Sequence, residues 1–223
     1  MDKTKIAVNV FNKNAQLYQN KFMDVDLYAD TFDFFCNAIA KENAELLELA
    51  CGPGNITKYL LNKRPDLKIL GTDLAPNMIA LAKINNPTAE FQLMDCRDLG
   101  ITGKKPARQS GGIYTAGGYD AIMCGFCLPY LSKEESIKLI QDASTILNPE
   151  GVLYLSTMED DYEKSGFKKG STGEEIFMHY HQVDYLSAAL TENNFKILKL
   201  QRKHSIMTDG TEVVDLILIS GRY

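Results

Sequence analysis

Positive charge is in short supply in this sequence. Lysine and arginine number 24 against 29 aspartates and glutamates, a net charge of −5 at pH 7, and the pI is near 5.3. That is a poor footprint for a protein that must hold a phosphate backbone, so nucleic acid is disfavoured as a partner. Long apolar runs are missing too. The longest, Ala121 to Leu131, is far too short to span a bilayer. The opening Met1-Asp2-Lys3-Thr4-Lys5 leads into a mixed polar stretch without the apolar centre of a signal peptide. No membrane association and a cytoplasmic location are expected. The five cysteines are odd in number and sit mostly in apolar or strand-like contexts, which predicts buried, reduced thiols. There is neither an internal repeat nor a linker to divide the chain. What is present is a hydrophobic fraction of 45% over 223 residues, ample for a core.

The pattern of elements points to the α/β class. Residues 11–43 read as helical, with Phe11, Ala15, Tyr18 and Phe22 on one face and Ala29, Phe32, Cys36 and Ile39 on another. Strand-like runs follow at Glu45–Ala50, Leu67–Asp73, Ala89–Met94, Tyr119–Cys124 and Val152–Thr157. Helical patterns alternate with them at 55–63, 76–85 and 132–147. Alternation of this kind predicts a parallel sheet covered on both faces. Pro76 suits a first helical turn, and Ser132-Lys133-Glu134-Glu135 has the spacing of a capping box. Asn148-Pro149-Glu150-Gly151 reads as a type I turn. Near the end, Lys196–Ile206 and Glu212–Ser220 flank Asp209-Gly210, a hairpin signal that predicts an antiparallel finish to the sheet. A short strand at Glu175–His181 precedes a helix near Asp184–Glu192.

The chemistry is expected beyond the carboxyl ends of the strands, where open parallel sheets bind ligands. The first such end is Glu48-Leu49-Ala50-Cys51-Gly52-Pro53-Gly54, an apolar run that stops at small residues before a helix. Glycine there lets the backbone bend sharply and a ligand come close, and the helix N-terminus offers free N–H groups. Asp73 ends the next strand, about 20 residues on, where nucleotide sites place an acid for ribose hydroxyls. Asp95-Cys96 ends the third strand, placed to read the edge of a base, and Cys124-Gly125-Phe126 the fourth. Each signal alone has a plain structural reading, a tight turn or a helix N-cap. Their register on consecutive strands argues for a site.

Together these segments resemble the class I S-adenosylmethionine-dependent methyltransferases of the small-molecule type. The likeness runs over residues 45–157 and extends to the terminal hairpin. It implies a Rossmann-like seven-stranded, mostly parallel sheet with an antiparallel terminal hairpin. It divides one methyltransferase domain, 1–223, into a helical cap (1–43), a cofactor-binding core (44–157) and a substrate-side insert with the terminal hairpin (158–223). By the resemblance, Glu48, Ala50 and Gly52 line the methionine moiety of S-adenosylmethionine. Asp73 holds the ribose, Leu74 and Met78 flank the adenine, Asp95 and Cys96 read its edge, and Cys124 is a backbone contact. Tyr18 matches a tyrosine that closes over the cofactor. Ala50 stands where many members have glycine. The alternatives are an NAD(P)-dependent oxidoreductase, whose pattern wants a third glycine where this chain has Thr57, and a non-catalytic partner that binds the same cofactor.

The methyl acceptor is read from the fourth strand end and the variable segments, as a small molecule with an oxygen or nitrogen nucleophile. Cys127-Leu128-Pro129-Tyr130 lacks the polar first residue by which base-directed enzymes hold an amine. No carboxylate lies between Ala121 and Leu131 to hold a magnesium ion, so no metal is expected. Cys124 and Cys127 form a Cys-x-x-Cys, read as small buried residues. His181 and His179 share one face of a strand and are candidates for a general base, with a solvated edge as the plain alternative. His204 reads as surface. The glycine-rich loop 100–118, with Lys104, Lys105 and Arg108, is either a cover for the acceptor or simply mobile. Phe11, Tyr18, Phe22, Tyr28 and Phe32 are expected to cap the pocket or to pack in the core. A monomer or a homodimer is expected.

Overall fold

The computed structural model describes residues 2–99, 118–170, 173–206 and 210–223. The basic loop expected at 100–118 lies outside the described residues apart from Gly118, as does Asp209 of the hairpin turn. The helices are α1 (Lys3–Lys13), α2 (Ala15–Phe22), α3 (Ala29–Ala38), α4 (Asn55–Lys63), α5 (Pro76–Asn85), α6 (Lys133–Ile146) and α7 (Val183–Glu192). The strands are β1 (Glu45–Leu49), β2 (Lys68–Asp73), β3 (Glu90–Leu93), β4 (Tyr119–Cys124), β5 (Leu147–Glu159), β6 (Gly166–Lys169), β7 (Glu175–Met178), β8 (Phe195–Ile206) and β9 (Glu212–Arg222).

Seven strands form one sheet in the order β3-β2-β1-β4-β5-β9-β8. Strands β1 to β5 pair in parallel. Strand β9 runs against both of its neighbours, β5 and β8. Successive residues of one strand serve opposite faces. Leu47, Leu49 and Ile122 join Leu139, Ile140 and Leu186 of α6 and α7 in one cluster. Leu46, Ala121 and Met123 join Phe32, Phe35 and Leu60 of α3 and α4 in the other. All six residues of β4 are buried, which explains why its sequence is an unbroken apolar run after Asp120. The chain reverses its direction of travel across the sheet between β1 and β4, and that crevice is where the site opens.

Four local expectations shift. Helical structure begins at Lys3, before the expected residue 11, because the Asp2 carboxylate caps it by accepting from the N–H groups of Thr4 and Lys5. The helical stretch is also broken, at Asn14 and again before Ala29. Strand β5 starts at Leu147 rather than Val152: Tyr119 pairs with Leu147 and Ala121 with Val152, so Asn148–Gly151 bulge out of the ladder. Within that bulge Glu150 has φ 63°, the left-handed value that a type II turn asks of its third residue, not a type I turn. The capping box forms as expected, with Glu135 N–H donating to Ser132 Oγ at 3.2 Å and Ser132 N–H to Glu135 Oε2 at 2.8 Å.

Strands β6 and β7 form a separate antiparallel hairpin. It holds α1 from outside: the Lys3 ammonium sits 3.4 Å from the Phe177 ring centre, and Lys13 pairs with Glu174 at 2.8 Å. All five cysteines are free. No helix among the described residues is long and apolar enough to cross a membrane.

Candidate functional site

The turn after β1 is built from left-handed residues: Ala50 at φ 51°, Gly52 at 54° and Gly54 at 79°. For alanine this conformation is strained, and strain of that kind is kept where a site needs it. The two glycines serve different ends. A Cβ on Gly54 would come within 2.3 Å of Asn86 Nδ2, the amide that donates to Gly54 O at 2.9 Å; this glycine lets the end of α5 close on the turn. A Cβ on Gly52 would meet only Tyr18 Cε1, at 3.8 Å; this one keeps the backbone open to a cavity.

That cavity, about 880 Å³ with its mouth included, is of the size that takes a cofactor-sized ligand. It brings together eight of the ten cofactor residues expected from the sequence: Tyr18, Ala50, Gly52, Asp73, Leu74, Met78, Asp95 and Cys96. Asp73 ties the first two strand ends together, its Oδ2 accepting from Gly52 N–H at 3.0 Å and its Oδ1 from Ala75 N–H at 2.8 Å. Burial raises its pKa. Each oxygen keeps a lone pair for a hydroxyl donor.

Glu48 and Cys124 lie behind the wall rather than in it. Cys124 is fully buried in the core, and the next residue, Gly125, lines the cavity instead. Glu48 is buried under the turn, where Thr57 Oγ1 donates to its Oε2 at 2.5 Å. Its Oε1 has no partner, and burial pushes its pKa up to about 8. A buried acceptor without a donor calls for an explanation, and a cationic ligand seated on this turn supplies one. The residues present therefore fit the methionine end of S-adenosylmethionine.

Asp95 is placed as expected but is already engaged. Its carboxylate accepts from Arg97 Nε at 3.0 Å and Arg97 NH2 at 2.6 Å, and from Arg97 N–H at 2.9 Å. Burial works against its ionised form, yet Arg97 holds the carboxyl below the usual range. The same guanidinium reaches Thr4 Oγ1 of α1 at 3.0 Å and Glu135 of α6 at 3.3 Å. Cys96 Sγ lies 3.4 Å from Cys127 Sγ.

His179 and His181 do share a face, both rings packing near Tyr162, but neither lines the cavity. They grip the segment that does. His179 N–H donates to Pro129 O at 2.8 Å, and His181 Nε2 donates to Leu128 O at 2.8 Å. His181 Nδ1 meets the Tyr185 hydroxyl, so every polar ring atom is used. Burial pushes the His181 pKa down to about 4 and also lowers that of His179. Tyr130 and Leu131, at the end of the gripped segment, line the cavity.

The sequence reading missed several lining residues. Thr4, Ala7 and Val8 of α1 are three of them, and Phe11, expected as a cap, completes the i, i+3, i+4, i+7 spacing of one helical face that begins before the expected helix. Phe126 was expected only as part of a strand end. It sits at φ 53°, with its N–H on Ser156 Oγ at 2.9 Å and its ring 5.1 Å from that of Tyr28.

A family profile described as a methyltransferase domain matches residues 19–200. Among curated relatives, trans-aconitate 2-methyltransferase of Variovorax paradoxus is 44% identical over 54 residues, covering 24% of this chain and 21% of the relative. Malonyl-[acyl-carrier protein] O-methyltransferase of Acetivibrio thermocellus is 30% identical over 102 residues, covering 45% of this chain and 36% of the relative. The chain thus spans well under half the length of either. Among solved structures, magnesium protoporphyrin IX methyltransferase of Synechocystis PCC 6803 with bound S-adenosylmethionine superposes with a TM-score of 0.69 at 15% identity, covering 100% of this chain and 98% of that one. An S-adenosylmethionine-dependent methyltransferase from Clostridium acetobutylicum gives 0.66 at 15% identity, covering 96% and 99%. At such identities the structures establish the shared fold, and the profile match adds the family and its cofactor. The chain belongs to the S-adenosylmethionine-dependent methyltransferases.

Proposed function

We propose that this chain transfers a methyl group from S-adenosylmethionine to an oxygen or nitrogen nucleophile of a small molecule. The observation that supports it is one cavity whose wall joins the glycine turn and Asp73 to the aromatic residues Phe11, Phe126 and Tyr130. When bound, the cofactor supplies a methyl group already activated on a sulfonium, so alignment carries much of the catalysis.

The residues divide that work. Asp73 holds the ribose hydroxyls, the backbone of Ala50 and Gly52 seats the methionine end, and Leu74 and Met78 hold the base. Helix α1 and Tyr18 exclude water from above. The histidines set the position of Tyr130 and are not placed to take a proton from the acceptor. Among the described lining residues Arg97 is the one cation, and Asp95 and Glu135 already neutralise it. That disfavours a polyphosphate and fits a small acceptor. Two of the relatives are named for acids, trans-aconitate and the malonyl group, and an oxygen acceptor agrees with them. Cap, core and insert act as one catalytic unit, alone or as a homodimer.

Calorimetry tests the reading. S-adenosylhomocysteine should bind and NAD should not. Asp73→Ala should weaken that binding at least tenfold, since hydrogen bonds to a charged group are worth about 1.5–3 kcal/mol. Unchanged affinity in the variant would sink the ribose assignment.

A further inference from the structure

One stretch of the cavity wall has an unusual set of polar groups. Phe11 sits between two tyrosines, its ring centre 5.7 Å from that of Tyr18 and 5.1 Å from that of Tyr130. Ala7, Val8, Phe126 and Leu131 complete an apolar wall. Neither tyrosine hydroxyl has a hydrogen-bond partner among the described residues. Burial holds both protonated: the Tyr18 pKa is pushed up to about 12, and that of Tyr130 is raised further. They are donors in waiting, not bases.

Among the described lining residues no other group is placed to take a proton from an acceptor: the Cys96 and Cys127 thiols lie against each other and are held protonated. Histidine and lysine are absent from the described wall. Asp95 is occupied by Arg97, and Asp73 by two backbone N–H groups and the ribose. Neither histidine lines the cavity; both ring nitrogens of His181 are engaged, and His179 Nδ1 meets the Tyr162 hydroxyl. An alcohol, a phenol or an ammonium must lose a proton in order to accept a methyl group. A carboxylate arrives without one. Arg97, already paired with two acids, leaves no spare cation in the described wall for a second or third carboxylate.

Resting on the methyl-transfer reading, we infer that the acceptor is a single carboxylate on an apolar body, held by the hydroxyls of Tyr18 and Tyr130 and converted to its methyl ester. In the step, a carboxylate oxygen forms a bond to the methyl carbon as the bond from that carbon to sulfur breaks. The electron pair stays on sulfur. An anion and a sulfonium become a neutral ester and a neutral thioether, and no proton moves. The apolar wall favours this loss of charge, because separated charges are costly in a water-poor cavity and their neutral products are not.

Two measurements test it. The protein is incubated with methyl-labelled S-adenosylmethionine and a small-molecule extract, and the product is treated briefly with alkali. Label released as methanol is expected, because methyl esters hydrolyse under these conditions and ethers and methylamines do not. Alkali-stable label overturns the inference and leaves methyl transfer standing. No transferred label overturns methyl transfer itself. Separately, octanoate and octylamine are titrated into the protein saturated with S-adenosylhomocysteine. The acid should bind at least tenfold more tightly, and Tyr130→Phe should remove about tenfold of its affinity while cofactor affinity stays unchanged. Equal binding, a preference for the amine, or an indifferent Tyr130→Phe variant overturns the assignment.

Discussion

Glu48 shows how far a single residue can be read from its neighbours. The sequence places an acid before the glycine turn, but not its depth. Alternation along β1 puts it on the face opposite Leu47 and Leu49, toward α4, where Thr57 receives it. Thr57 is also the position at which a dinucleotide site would carry glycine. The hydroxyl that excludes that reading is the one that holds Glu48. Burial keeps Glu48 protonated up to about pH 8, against 4.5 for a free glutamate. Below 4.5 both folded and unfolded chains carry the proton. Above it the unfolded chain releases the proton first, so this contribution to stability is lost as pH rises to about 8. His181, with its pKa pushed down to about 4, works in the opposite sense below its usual 6.5. The clean window is therefore above pH 6.5. Between there and pH 8.5 the cofactor-free protein should lose thermal stability more steeply than Glu48→Gln, as followed by unfolding midpoints. Parallel curves would refute a buried, protonated Glu48. A cationic ligand on the turn should lower this pKa, so binding near neutral pH should release a proton, detectable as a buffer-dependent binding enthalpy.

At the scale of elements, the strands were legible and their ends were not. The central strands β1 and β4 are readable because their burial calls for apolar runs, the edge strand β3 shows only one buried residue in four, and turns punctuate them all. The side chain that meets the ligand depends on one residue of register, since successive side chains point to opposite faces. Hence Gly125 and Phe126 line the cavity where Cys124 was expected to touch it. Strand β6 escaped notice because its four residues are mostly exposed and carry no apolar alternation. The histidines are the instructive case. Their shared face was right, but only tertiary packing shows that it looks toward the Leu128–Tyr130 segment. His181→Ala should remove the donor to Leu128 O and destabilise the fold by about 1–3 kcal/mol. It should lower turnover with little change in cofactor affinity. His181→Gln, which can still donate, should recover part of both losses. If His181 acted as a base, the glutamine variant would be as inactive as the alanine one.

The molecule as a whole is a sheet whose crevice is roofed by residues from the chain's first turns. Arg97 joins the roof to the core through Thr4, Asp95 and Glu135. Asn77 adds a second tie, its N–H donating to Asn12 Oδ1 at 2.8 Å. Arg97→Gln should loosen α1 while leaving the sheet intact. Trypsin should then cut faster after Lys5 and Lys13, with cofactor affinity reduced, and an unchanged cleavage rate would show that the guanidinium does not fasten the roof. The third tie is the hairpin, through Lys3 on Phe177 and Lys13 on Glu174. This has a consequence for the order in which the protein can be made. Helix α1 lines the cavity, yet its outer partners are encoded some 160 residues later. A nascent chain can tie the roof through Asn77 and Arg97 well before the hairpin exists, so the grip of the hairpin on Lys3 and Lys13 is the last of the three fastenings to form.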